Sequence, residues 1–314
     1  MRVVAALGGN ALSPDGAQGT AVEMRAALAR TSAVLADLVE SGVELVLTHG
    51  NGPQVGRILL QQEYASAYVP PMPMDVCGAQ SQGQIGYLIA QSLDSELQTR
   101  GIDRRTLCLV TQVVVDGRDP AFRRPTKPVG PSYERPTAQR IAHETGYVFQ
   151  VMPDRRWRRV VASPKPLRFV EEEPLRALVE AGHVVVAAGG GGVPVVEVEE
   201  GYRGVEAVVD KDRTAARLAQ LLNADRLVIL TAVSRVQVGY GTKKARELAE
   251  VSVSEARELL AAGEFPDGSM GPKVEASCDF VEATGKPAVI AALDDAAAAV
   301  RGEAGTVVRP DQSS

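Results

Sequence analysis

Three lysines and two aspartates stand where side chains of this kind can act on an anion. Asp210-Lys211-Asp212 opens a predicted helix, and Lys273 opens another in Ser269-Met270-Gly271-Pro272-Lys273. Asp210 reads as the N-cap and only that, and Pro272 suits a first helical position. A lysine is misplaced there, because the first turn of a helix is its positive end, unless a bound anion offsets the repulsion. Lys127 lies in Pro125-Thr126-Lys127-Pro128-Val129-Gly130-Pro131, a backbone stiffened by proline on either side. Each lysine alone also fits a solvated surface charge. Together, with no Cys, Ser or His nucleophile beside them, they suit phosphoryl transfer, which needs positioning and charge neutralisation more than covalent chemistry.

Glycine-rich loops accompany them. Leu7-Gly8-Gly9-Asn10 and Thr48-His49-Gly50-Asn51-Gly52 each follow an apolar run, and the tetraglycine Gly189 to Gly192 follows Val184 to Ala188. Bare backbone N–H groups at the ends of parallel strands can cradle an oxyanion, although ordinary tight turns use the same residues. His49 has no local carboxylate or nucleophile and reads as structural. Gly50, Gly52 and Gly56, with Asp75 further on, miss the dinucleotide fingerprint by one residue, and there is no GxxxxGK[ST].

The elements that must hold these groups follow a β-α-β pattern. Val3 to Leu7 reads as a strand. Thr20 and Glu23 form a capping box before a helix running to Gly42, and Val43 to Thr48 is the next strand. Leu107 to Val115, Val184 to Ala188, Leu227 to Thr231, Val289 to Ala291 and Thr306 to Val308 read as further strands, and 211 to 223 as a helix. Strands apolar on both faces predict an α/β fold: an open, mainly parallel sheet covered by helices on both faces. Residues 116–165, rich in Pro, Arg and Gly, break the pattern and read as a protruding flap with no helix of useful length. A boundary near 174 divides the chain into lobes 1–174 and 175–314.

The 314 residues allow two lobes with a sizeable core, filled by aliphatics since aromatics are 4%. The 34 basic and 39 acidic residues give a formal net charge of −5 with no long basic run, which argues against nucleic acid. Cys77, Cys108 and Cys278 are far apart and odd in number, favouring a reducing cytoplasm over a disulfide frame or zinc site. The uncharged stretch from Val76 to Leu93 carries too many polar residues for a membrane span, and the first apolar run is too short for a signal peptide.

The segments Ala6 to Leu12, Thr48 to Gly56, Cys77 to Gly83, Pro125 to Pro131, Ala187 to Val196, Gly204 to Arg213 and Ser269 to Ala276, in order over essentially the whole chain, resemble the carbamate kinases of the amino acid kinase family. Most of that wider family has a lysine where this chain has Ala6, and the resemblance implies that Lys211 takes its role. It implies reversible phosphoryl transfer between MgATP and carbamate, giving MgADP and carbamoyl phosphate, by a homodimer. Gly9, Asn10, Gly50, Asn51 and Gly52 would hold carbamate and the transferring group, and Lys127 would reach it from the flap. Lys211 and Lys273 would neutralise phosphates, with Asp212 orienting both. Gly189, Gly190, Gly191, Thr231, Ala232, Tyr240, Met270 and Gly271 would face the nucleotide, and Mg²⁺ would be held mainly by phosphates and water. Two features depart from the pattern: Ala232 replaces an expected aspartate, and the stretch Gly239 to Lys244 is altered. They leave open a catalytically weak nucleotide or anion sensor on the same fold, or a kinase for another small acid.

Overall fold

The computed structural model describes residues 1–12, 16–242, 244–265 and 270–311, without the side chain of Asn10. Ser269 and Lys243 lie outside the described residues.

The chain opens with β1 (Arg2–Leu7), α1 (Ala21–Glu40) and β2 (Glu44–His49). The capping box forms as expected: Thr20 Oγ1 accepts from Glu23 N–H and the Glu23 carboxylate accepts from Thr20 N–H. Helices α2 (Gly52–Ala65) and α3 (Met74–Thr99) follow, then β3 (Thr106–Leu109) and β4 (Gln112–Val114). The single strand expected over 107–115 is therefore two strands in different sheets. The break lies at Thr111, whose buried N–H is taken by the Gln82 side chain: Gln82 Oε1 accepts it at 3.0 Å, while the Thr111 carbonyl accepts from Gln82 Nε2 at 3.1 Å and from Val193 N–H at 2.9 Å.

The flap contains β5 (Lys127–Tyr133), α4 (Arg135–Thr145), β6 (Phe149–Val151) and β7 (Trp157–Val161). The helix α4 corrects the expectation of none. Pro136 sits in its first turn, where a missing N–H costs nothing, and Gly146 closes it in the left-handed conformation. With Ala138 its only buried residue, it lacks the broad apolar stripe that makes a helix legible.

The second half contains β8 (Arg168–Phe169), α5 (Glu172–Glu180), β9 (Val184–Ala187), β10 (Val193–Val198), β11 (Gly201–Gly204), α6 (Lys211–Leu221) and β12 (Arg226–Thr231). It ends with β13 (Val236–Val238), β14 (Arg246–Leu248), β15 (Glu250–Ser252), α7 (Val253–Ala261), α8 (Met270–Thr284), β16 (Ala288–Ala292), α9 (Ala296–Arg301) and β17 (Thr306–Arg309).

The main sheet has the order β15-β17-β16-β12-β1-β2-β9-β3. Its pairings are parallel except for β16 with β17. The cut near 174 does not divide it, because β9 lies between β2 and β3. Alternate residues of each strand enter opposite cores, as a period of two requires. Val4, Ala6, Val46, Val185 and Ile229 pack with α6 and α8 on one face, while Val3, Ala5, Leu7, Leu45 and Leu230 pack with α1 and α3 on the other. The flap strands form their own antiparallel sheet, β5-β7-β6.

Candidate active site

Strands β12, β1, β2 and β9 are neighbours and all parallel, so their carboxyl ends lie along one edge. That edge carries Thr231-Ala232, Gly8-Gly9, Gly50-Asn51-Gly52 and Gly189 to Gly192. The chain leaves β1 towards β2 on one side and returns to β12 on the other, which opens the crevice where ligands collect in open α/β sheets.

The loops lock onto one another. Gly50 lies against the Lys211 stem, an ideal Cβ there falling 3.6 Å from Lys211 Cδ and Cε. Gly190 is left-handed (φ +67°), and a Cβ on it would lie 2.1 Å from Asn51 Nδ2, so only glycine fits both the backbone and the neighbour. Asn51 Nδ2 donates to Ser81 Oγ at 2.8 Å. Thr48 Oγ1 donates to Ala188 O at 3.0 Å, and Thr214 Oγ1 to Gly191 O at 3.0 Å, tying the tetraglycine to β2 and α6.

His49 is 1% exposed. Its Nδ1 lies 2.9 Å from Gly50 O and must donate, since a carbonyl can only accept. Burial, with Lys211 nearby, pushes its pKa down to about 4. The ring is therefore neutral and structural near neutral pH. An unfolded chain takes up this proton below about pH 6.5 while the folded one resists to about 4, so His49 contributes stability above 6.5 that is lost as pH falls through this window, up to about 3 kcal/mol. Urea melts from about pH 7 to 5 should show wild type losing more stability than His49→Gln. Parallel losses would refute the assignment.

The charged groups form a chain of contacts. Lys211 Nζ lies 2.5 Å from Asp212 Oδ1, and Lys273 Nζ 2.9 Å from Asp212 Oδ2. Asp212 keeps only 5% of its side chain exposed, Lys211 14% and Lys273 13%. Burial raises the Asp212 pKa, but the two ammonium groups outweigh it and hold the carboxyl below its ordinary value. Burial drives the Lys211 pKa down, and Asp212 offsets this only in part. Lys127 Nζ lies 3.0 Å from Asp210 Oδ2, and Asp210 Oδ1 accepts from Asp212 N–H at 2.9 Å. Asp210 is thus a cap and an ion-pair partner, which corrects its reading as a cap alone. Three ammonium groups face two carboxylates, leaving one positive charge unbalanced at an edge lined with helix N-termini. An anion fits there. Both carboxylates are engaged by lysines, and His49 is buried with a lowered pKa that makes it a weak base, so this cluster suits an acceptor that is already ionised and needs no base.

A cavity of about 380 Å³ opens beside this cluster, lined by Thr231, Val233, Arg235, Gln237, Tyr240, Met270 and Lys273. Of the residues expected to face a nucleotide, Thr231, Tyr240 and Met270 line it. Ala232 and Gly271 are not in its lining, and Gly189, Gly190 and Gly191 are buried against His49, Asn51 and Val209 instead. Arg235 and Gln237 carried no sequence signal, since no motif includes them, and Val233 was visible only as the neighbour of Ala232. Pro272 stands third in the described helix α8, still in its first turn. Gly9 begins a short 3-10 turn at the end of β1. A second space, about 440 Å³, separates α2 from β5, with Gly52, Gly56, Arg57, Pro128 and Arg158 on its walls. No helix among the described residues is long and apolar enough to cross a membrane, and no three His, Cys, Asp or Glu among them come together to hold a metal ion.

The chain is 49% identical over 311 residues to the carbamate kinase of Pyrococcus horikoshii, covering 98% of this chain and 99% of that protein. It is 48% identical over 311 residues to that of Pyrococcus furiosus, with the same coverage. The structure of carbamate kinase from Giardia lamblia bound to AMP-PNP matches with a TM-score of 0.93 at 39% identity, over 99% of this chain and 98% of that one. The model of the amino acid kinase family matches residues 1–292, and the chain belongs to that family.

Proposed function

We propose that this protein is a carbamate kinase, transferring a phosphoryl group reversibly between ATP and carbamate to give ADP and carbamoyl phosphate. The observation that carries the reading is Asp212 gripping Lys211 and Lys273 at one strand edge while Lys127 arrives beside them from the flap. In the forward direction a carbamate oxygen attacks the γ-phosphorus and the bond from that phosphorus to the β–γ bridging oxygen breaks. The attacking carboxylate is already an anion, which agrees with a cluster that offers no base. Lys211 and Lys273 would neutralise charge on the transferring group and on the leaving phosphate, and Lys127 would bind the acceptor. Gly9, Asn10, Gly50, Asn51 and Gly52 would line the acceptor side, with the tetraglycine bracing Asn51. The nucleotide would occupy the cavity of Tyr240 and Met270.

Mg²⁺ bound to the nucleotide phosphates would add further neutralisation. Because both aspartates already hold lysines, phosphate and water would be its ligands, which suits a cation that dehydrates reluctantly. A homodimer and a cytoplasmic location complete the proposal. Tyr68 (89% exposed) and Val69 (54%) support a covered face, and three unpaired, widely separated cysteines support a reducing compartment.

A coupled assay of ATP formation from ADP and carbamoyl phosphate tests the activity, with acetyl phosphate and acetylglutamate as comparison substrates. Rapid turnover specific to carbamoyl phosphate is expected. Nucleotide binding without turnover would favour the sensor.

Ala232 is exposed between two residues of the cavity lining. Ala232→Asp should restore at most one acceptor, worth about 0.5–1.5 kcal/mol, and so lower the nucleotide KM by up to about tenfold with kcat unchanged. Steady-state kinetics check it. A rise in kcat from nothing would instead mark the position as essential to the chemistry.

A further inference from the structure

We propose that Asp210 is a positioning residue that anchors the flap's Lys127 and fixes it relative to the lysines held by Asp212. The inference rests on the reading of Lys127 as an acceptor-binding group.

The two oxygens of Asp210 face different parts of the molecule. Oδ1 caps α6 through Asp212 N–H at 2.9 Å, and Oδ2 takes Lys127 Nζ at 3.0 Å across 83 residues of sequence. The same short strap meets the flap twice more. Val208 N–H donates to Ala162 O at 2.9 Å, just past the end of β7, and Glu206 pairs with Arg159 within it. Lys127 is in register with Val161 in the β5–β7 ladder, so all three contacts grip the base of one small sheet. From Asp210 the chain enters α6 with no intervening loop, and the next two residues are Lys211 and Asp212. A displacement of the flap is therefore transmitted to Asp210 and to the first turn of α6.

An ammonium group has three donors, and Asp210 uses one of those on Lys127, leaving two for an anion. Without the carboxylate, a four-carbon side chain that is one-third exposed returns to its many rotamers, and the geometry that made it useful is lost. The Asp210 carboxylate is taken up by Lys127 and the Asp212 N–H, so it has no direct part in the reaction. It acts through Lys127.

Asp210→Asn separates the two tasks, because asparagine caps a helix as well as aspartate does but carries no charge. With carbamoyl phosphate and ADP, kcat should fall on the order of tenfold to a hundredfold, the range of a charged hydrogen bond, with the ADP KM little changed. In a Lys127→Met background the same change should have almost no further effect. Full additivity of the two substitutions would overturn the proposal, as would an unchanged kcat.

A second measurement does not depend on turnover. In the ligand-free protein, Asp210→Asn should raise amide hydrogen exchange in residues 127–133 and leave β1 unchanged. Unaltered exchange there would refute the anchor even if the rate fell. If wild type itself makes no ATP from carbamoyl phosphate, the functional reading fails, and exchange alone decides whether Asp210 holds the flap.

Discussion

Replacing Asp212 by asparagine should lower turnover on the order of a thousandfold, the upper range for losing one preorganised charge stabiliser, because this residue orients two. Asp212 is 4% exposed and each of its oxygens holds a different lysine. An amide of the same shape keeps the volume, but it accepts through one atom only and carries no charge. Lys211 and Lys273 would then face each other with no negative charge between them. Breaking a buried pair in this way typically costs about 3–5 kcal/mol, so thermal stability should fall as well. The Lys211 pKa, already lowered by burial, loses the carboxylate that was raising it and drops further. A lysine with a lower pKa loses its charge as pH rises, so the residual rate should decline on the alkaline side at a lower pH than the wild-type rate does. Nucleotide affinity should suffer less than kcat, because bound phosphates themselves neutralise the freed charges. Pre-steady-state and steady-state rates across pH check all of this. A variant within tenfold of wild type in kcat would show that Asp212 is a packing residue.

Much of this arrangement is legible in the sequence because it is local. The strands β1, β2 and β12 announce themselves as short aliphatic runs, and Thr20 with Glu23 marks the start of α1 within four residues. Lys211 and Lys273 stand out for the same reason, since a cation at a helix start is an electrostatic anomaly readable from neighbours. What the sequence hides is long-range. Asp210 looks complete as a cap, and nothing nearby shows that its second oxygen meets a lysine 83 residues earlier. Thr111 sits inside an apolar run that reads as one strand, and only Gln82, brought over by α3, reveals why the run divides. The tetraglycine is visible as a motif, but its closeness to Asn51 depends on β9 lying beside β2 in the sheet.

Lys127→Ala should leave ADP binding nearly intact while cutting turnover by about 2.7–4 kcal/mol of barrier, on the order of a hundredfold to a thousandfold. The lysine belongs to β5 of the flap and is absent from the lining of the cavity formed by Thr231, Tyr240 and Met270. Its removal therefore withdraws a charge from the acceptor side alone. The structure adds a complication, because Lys127 is also the partner of Asp210. Taking it away leaves a carboxylate whose side chain is 11% exposed without its ion pair, next to the helix start that carries Lys211 and Asp212. Part of the loss could then come from disturbing α6 rather than from the missing charge. Lys127→Ala combined with Asp210→Asn separates the two causes, since the neutral amide keeps the cap and removes the stranded charge. If the missing ammonium is what matters, the double variant stays as slow as the single one and recovers only thermal stability. If turnover returns to within a few fold of wild type, Lys127 balances Asp210 and has no part in binding the acceptor. Calorimetry with ADP, run on both variants, guards against the remaining possibility, a general loss of the site, which would abolish nucleotide binding along with the rate.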